Sequence, residues 1–512
     1  MQLIIHKKRL AILLLVVIAI YKASAQSPGT VVKTKEGYVR GAIENGIAVF
    51  KGIPYAAPPL GTLRFKPPVE HAVWGDTLSA LKFGSIATQF SNKSVVGSED
   101  CLSLNVYTPG TDHKKRAVVV WVHGGSMTSG AGKGQDGHAF ADHDDIVVVT
   151  INYRLGVFGF LYLGDMDKSY AASANNGVLD CIMALTWIKQ NIVAFGGDPN
   201  RVTIMGESAG AKLLSAVTVS PKVKGLFQQY IAESGSVQCI RDTVTAKNER
   251  LRILQKLHLG QNDAAKLLSM SADSLIKAQA AACGGIEGTS FFGPVIDGVV
   301  INSDPYPYAA GKNLPNFKAL MGTNKTEATL FAAMDERVKN PDSTFFKASF
   351  GDDYPMVYKD YLLELKTLSP ADAAIKVLTQ YMYQMHTYRW ANALTQNGIP
   401  VWMYRFDYAK GPVGAGHATE LPFVWYQSAD NITDTAKKQL AIDMHNAWVS
   451  FIKTGNPNAT GLPQWPNYTN DSRRVMLFDT PAQVTSLKEV FDDSDFPSAV
   501  FVLRAGANAI RP

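Results

Sequence analysis

Six short runs of β-branched and aliphatic residues recur along the chain, separated by longer stretches in which apolar positions follow helical spacing. They cover residues 118–122, 146–151, 202–205, 230–232, 319–321 and 401–404. A strand that is apolar at nearly every position has no face to offer to water, so these runs predict a mainly parallel sheet covered by helices on both sides. That is the α/β class. Between the second and third runs, Val178, Ile182, Leu185 and Ile188 fall on one helical face, and Gly196-Gly197-Asp198-Pro199 ends that helix. Residues 247–282 and 354–397 also carry helical spacing. They are expected to be additions to the sheet that cover its carboxyl edge and shape a pocket.

Composition fits a folded globular chain: 46% of the 512 residues are hydrophobic and 18% charged. No Pro/Ser-rich linker, charge block or repeat divides the sequence, which predicts one large domain over residues 26–512. The first 25 residues stand apart. His6-Lys7-Lys8-Arg9 is basic, residues 10–20 are almost wholly aliphatic, and Ala23-Ser24-Ala25 fits a small-x-small cleavage site. This pattern predicts a secretory leader cleaved after Ala25, too short in its apolar part for a stable membrane anchor, and hence a secreted or periplasmic protein. Losing Lys7, Lys8, Arg9 and Lys22 with the leader lowers the formal charge from +6 to +2. The remaining charge recommends no nucleic-acid partner. Four cysteines without Cys-x-x-Cys spacing point to neither a metal site nor a disulfide scaffold. If one bridge forms, Cys239 with Cys283 is the expected pair, since both fall in predicted surface connections.

Chemistry enters at Gly206-Glu207-Ser208-Ala209-Gly210, directly after the run 202–205. A Gly-x-Ser-x-Gly turn from strand to helix exposes a serine hydroxyl, which becomes a useful nucleophile only with a base and an anion-stabilising pocket beside it. His123-Gly124-Gly125-Ser126 follows the run 118–122, where glycines let backbone N–H groups approach a ligand closely. With Ala209, the residue after the serine, Gly125 and Ser126 offer three donors to an oxyanion.

An ordered series of further motifs extends nearly end to end. It includes Phe50-Lys51-Gly52-Ile53-Pro54-Tyr55-Ala56, Glu99-Asp100-Cys101-Leu102-Ser103-Leu104-Asn105-Val106, Asn152-Tyr153-Arg154-Leu155-Gly156, Phe195-Gly196-Gly197-Asp198-Pro199 and Thr454-Gly455-Asn456-Pro457-Asn458. With these, the chain resembles the type-B carboxylesterases, the family of para-nitrobenzyl esterases and cholinesterases. The resemblance implies an α/β-hydrolase fold, a small-molecule ester as substrate, and no metal or cofactor. It also implies the partners of Ser208. Gly322-Thr323-Asn324-Lys325-Thr326-Glu327 matches the family's Gly-x-x-x-x-Glu stretch, with Glu327 as the acid, and Gly414-Ala415-Gly416-His417 matches its Gly-x-x-His stretch, with His417 as the base. Glu207 and Ser234 match positions that support these three from behind. The order Ser, acid, His is that of α/β-hydrolases generally. A histidine base predicts an acid limb in kcat/KM near pH 6 to 7.

Three departures shape expectations. Ser126 stands where most relatives carry a third glycine, which narrows the acyl side of the site. The position that would pair with Cys101 in animal relatives falls near Ala87, and the short connection to Glu99 contains no tryptophan, which disfavours choline esters. Asn324-Lys325-Thr326 is a glycosylation sequon beside Glu327, so either the chain is bacterial or the position is unmodified. Two alternatives to a general esterase are a non-catalytic adhesion module of the same fold and a lipase or specialised esterase.

Overall fold

The computed structural model describes residues 30–283, 286–411, 413–427 and 431–487; the leader read over residues 1–25 lies outside them. Eleven strands form the main sheet among these residues. In chain order they are β1 (Ala42–Glu44), β2 (Ile47–Pro54), β3 (Ser103–Thr108), β4 (Arg116–Val122), β5 (Val147–Ile151), β6 (Gly197–Glu207), β7 (Gln229–Glu233), β8 (Lys318–Asn324), β9 (Val401–Phe406), β10 (Arg474–Phe478) and β11 (Gln483–Ser486). Their order in space is β11-β10-β9-β8-β7-β6-β4-β5-β3-β2-β1. Pairing is parallel from β5 through β4, β6, β7, β8 and β9 to β10. It turns antiparallel at both margins. The predicted runs are the six strands β4 to β9 at the centre.

Burial explains why those runs have no polar alternation. In β4, Val118, Val120 and Val122 enter one core, while Val119 and Trp121 enter the other. Successive side chains of a strand point to opposite faces, so a strand covered on both must be apolar throughout. The helix Asn176–Asn191 lays Val178, Ile182, Leu185 and Ile188 on the first face and runs into a 3-10 turn, Ile192–Phe195, that Gly196 ends at φ of 80°. The helix Thr435–Thr454 covers the second with Leu440, Met444, Trp448 and Phe451, and Gly455 ends it at φ of 71°.

One ion pair is sealed within this frame. Arg154, just after β5, is clamped by Asp180 of the helix Asn176–Asn191 through Nη2 to Oδ1 at 2.7 Å and Nε to Oδ2 at 2.9 Å. The Arg154 backbone N–H donates to the same carboxylate at 3.0 Å, and both residues are buried.

The cysteine expectation is overturned, for all four are free thiols. Cys239 is not in a surface connection: it is buried, and its thiol faces the Lys212 carbonyl at 3.4 Å. Cys283 caps a separate helix, Ala272–Ala282. The sequon at Asn324 is closed off as well, because that side chain is fully buried with its amide donating to the Gly416 carbonyl at 2.6 Å.

Candidate active site

Five neighbouring strands, β9, β8, β7, β6 and β4, end at one edge of the sheet, and each is followed by one group of the site. His417 follows β9, Glu327 follows β8, Ser234 follows β7, Ser208 follows β6, and the segment His123-Gly124-Gly125-Ser126 follows β4. Register brings them level, since Glu207 stands opposite Glu233, Glu233 opposite Gly322, and Gly322 opposite Tyr404. The carboxyl edge of a parallel sheet is where α/β proteins gather functional loops.

At the elbow, Ser208 takes φ 53° and ψ −120°, a conformation that costs a non-glycine residue of the order of 1–3 kcal/mol. Two bonds hold it there: its N–H donates to the Glu233 carbonyl at 2.8 Å, and its carbonyl accepts from Lys212 N–H at 2.9 Å. The flanking glycines are needed for room. A Cβ on Gly210 would sit 2.0 Å from the Val122 carbonyl oxygen, and one on Gly206 would sit 2.7 Å from the Gly210 carbonyl carbon.

The hydroxyl so presented meets His417 Nε2 at 2.8 Å, and His417 Nδ1 meets Glu327 Oε2 at 2.6 Å. The other oxygen of Glu327 accepts from the Ser234 hydroxyl at 2.6 Å and from the Asn324 N–H at 2.7 Å. Glu207 approaches the same serine-facing nitrogen, with Oε1 3.1 Å from His417 Nε2. All the sequence-predicted side chains are therefore in one cluster. The N–H groups of Gly125, Ser126 and Ala209 find no acceptor among the described residues, and Ala209 opens the helix Ala209–Thr218. Ser126 holds φ of 55°, the left-handed conformation in which a glycine would be unstrained.

Charge in this pocket is strongly coupled. Burial alone would lower the His417 pKa, but Glu207 and Glu327 outweigh it and raise the imidazolium to about 9. Burial pushes Glu207 up to about 7 and Glu420 up to about 8. With the imidazolium so stabilised, an acid limb set by His417 is expected above the pH 6 to 7 read from the sequence. His123, by contrast, is lowered to about 4 by burial; it stacks on Tyr153 and its Nδ1 faces the Gly124 carbonyl at 2.8 Å.

Sequence reasoning missed two supports. Asn324 bonds both Gly416 and Glu420, tying the histidine loop to the end of β8. Tyr383, from the helical addition, packs its ring 4.8 Å from that of His417. The sequon drew attention to Asn324 for the wrong reason, and nothing marked Tyr383.

A profile of the carboxylesterase family matches residues 28–493. The chain belongs to the carboxylesterase family. It is 37% identical over 473 residues to the para-nitrobenzyl esterase of Bacillus subtilis, covering 88% of this chain and 95% of that protein. It is 30% identical over 479 residues to the phenmedipham hydrolase of Pseudarthrobacter oxydans, covering 87% and 94%. The crystal structure of a carboxylesterase from Geobacillus stearothermophilus at pH 6.2 superposes with a TM-score of 0.82 at 36% identity, over 91% of this chain and all of that one. Carboxylesterases hydrolyse carboxylic esters, and the mixed sheet described above is the α/β-hydrolase fold of these relatives.

Proposed function

We propose that this carboxylesterase works through an acyl-enzyme on Ser208, with His417 as general base and Glu327 orienting it. The observation that carries the reading is the continuous chain Ser208 Oγ, His417 Nε2, His417 Nδ1, Glu327 Oε2, with contacts of 2.8 and 2.6 Å. Ser208 attacks the ester carbonyl as His417 takes its proton, and the carbonyl oxygen becomes an oxyanion facing the N–H groups of Gly125, Ser126 and Ala209. Each such donor supplies roughly 3 kcal/mol to the transition state. His417 then returns the proton to the departing alkoxide, and water repeats the sequence on the acyl-enzyme. Glu327 stays ionised and stabilises the imidazolium, while Ser234 and Glu207 act behind the triad.

The relatives named for para-nitrobenzyl and phenmedipham hydrolysis support a small-ester range. An exported enzyme, free of its leader after Ala25, is part of the same proposal. The test is Ser208→Ala: hydrolysis of p-nitrophenyl butyrate is lost while the thermal transition is kept. Retained turnover in a folded variant would remove Ser208 from the mechanism.

A further inference from the structure

A cavity opens beside the anion-binding amides, and its walls carry polar groups that the steps above do not use. Ser126 and Ala209 line it together with Lys212, His386 and Ser349. Lys212 follows Ser208 by one helical turn and is only 9% exposed, yet its ammonium makes no hydrogen bond or close ion pair with any described residue, Glu207 and Glu327 attracting it only from beyond contact. Its nearest aromatic neighbour is the Tyr383 ring, with the centroid 5.0 Å from Nζ. His386 is 1% exposed and its ring nitrogens make no well-formed hydrogen bond, the Tyr381 carbonyl lying within electrostatic reach only. The buried Ser349 hydroxyl also has no partner. The other cation on the wall, Arg241, is neutralised by Glu249 and capped by the Phe291 and Ser290 carbonyls.

Buried polar groups are normally satisfied, and a buried charge without a counter-ion in contact is costly. Three such groups on one cavity are matched by a ligand that brings a negative charge and several acceptor oxygens. Geometry assigns that charge to one end of the substrate. The leaving oxygen must face His417 Nε2, which protonates it, and His417 does not line this cavity. The amides that hold the oxyanion do. The cavity therefore receives the acyl chain, and Met127, Ile286, Phe292 and Met382 supply apolar wall for its methylene groups. Burial lowers the Lys212 pKa, and the bound carboxylate would restore the ammonium.

We propose that this cavity is an acyl-side subsite for esters whose acyl group ends in a carboxylate, the half-esters of short dicarboxylic acids, and that Lys212 selects them. The inference rests on the reading of Ser208 as the acylated nucleophile. Its test compares monoethyl glutarate with ethyl valerate, which differ by a carboxylate in place of a terminal methyl group, by pH-stat titration. The wild-type protein is expected to favour the half-ester by about tenfold or more in kcat/KM, the size of one charge-assisted contact. Lys212→Met is expected to lower that ratio at least tenfold, whatever it does to both rates in common. His386→Leu, on a different helix, reads the same ratio should Lys212→Met fail to fold. Equal or poorer use of the half-ester by the wild-type protein, or a ratio unmoved in a folded variant, overturns the subsite and leaves the esterase reading standing. Failure to hydrolyse either ester while p-nitrophenyl butyrate is turned over also overturns the subsite; failure on all three overturns the reading of Ser208 as nucleophile.

Discussion

Replacing Glu207 with glutamine should move the acid limb of kcat/KM to lower pH. The carboxylate lies 3.1 Å from His417 Nε2, the nitrogen that must be unprotonated to take the serine proton, and it is buried with it. His417 is raised from 6.5 to about 9. That rise corresponds to about 3 kcal/mol favouring the imidazolium. Burial opposes it, so Glu207, Glu327 and Glu420 together supply more than this net figure; Glu207 gives the largest single Coulomb attraction, and Glu327 adds a hydrogen bond to its own. An even share of the net value among the three carboxylates is about 1 kcal/mol, or roughly 0.8 of a pH unit, which sets the scale of the displacement. The sign follows from the base being active when unprotonated: removing a charge that stabilises the imidazolium lets His417 lose its proton earlier as pH rises. The assay is kcat/KM for p-nitrophenyl butyrate from pH 5 to 10, read at the wavelength where p-nitrophenol and its anion absorb equally. The limb of the variant should fall by about one unit with the alkaline plateau retained. A limb that stays in place, or moves upward, would refute the idea that this carboxylate acts on the imidazole through its charge.

Three further outcomes can be checked alongside this one. Gly124→Ala would set a Cβ 2.9 Å from Glu207 Oε2 and 3.2 Å from Ser208 Cβ, so esterase kcat should drop by about tenfold or more while the melting temperature changes little. An unchanged kcat would show that the loop can retreat from the elbow. Asp180→Ala strips the buried Arg154 guanidinium of its carboxylate, and chemical denaturation should show a loss of about 3–5 kcal/mol. Glu207, Glu249 and Glu420 are raised by burial from 4.5 to about 7, 7 and 8. The unfolded chain releases those protons first, so their contribution is complete below pH 4.5 and is lost as pH rises through about 7 to 8; Glu249→Gln should flatten part of that decline in thermal melts.

The centre of the sheet could be read from the chain because its strands are buried on both faces and leave an uninterrupted apolar signature. The margin strands do not. In β3, Ser103 and Asn105 interrupt the pattern, and Asn105 is there to bond, donating to Thr150 Oγ1 at 2.9 Å and accepting the Gly52 N–H at 2.9 Å. The reactive groups were legible by motif and resemblance, since an elbow serine, a glycine pair and a Gly-x-x-His stretch each require a particular backbone. Lys212 was not, because a lysine in a helical stretch reads as a solvated charge until the packing around it is known. The same lack misdirected the cysteine expectation, as sequence distance from a strand says little about exposure. The upward displacement of His417 was equally hidden, for it depends on how closely Glu207 and Glu327 are brought to one ring.

The separation between the strand ends and the cavity wall bears on how such a protein can change. Every group assigned to bond-breaking hangs from the termini of five adjacent strands, whereas Ile286, Ser349, Met382 and His386 come from segments outside the sheet. Those segments can be rewritten by insertion, deletion or recombination while the sheet keeps its register. Lys212 is the exception, one helical turn from Ser208 on the helix Ala209–Thr218 that opens at the nucleophile. Libraries aimed at new substrates would therefore diversify the outer segments freely and treat position 212 as a single switch between charged and neutral acyl groups.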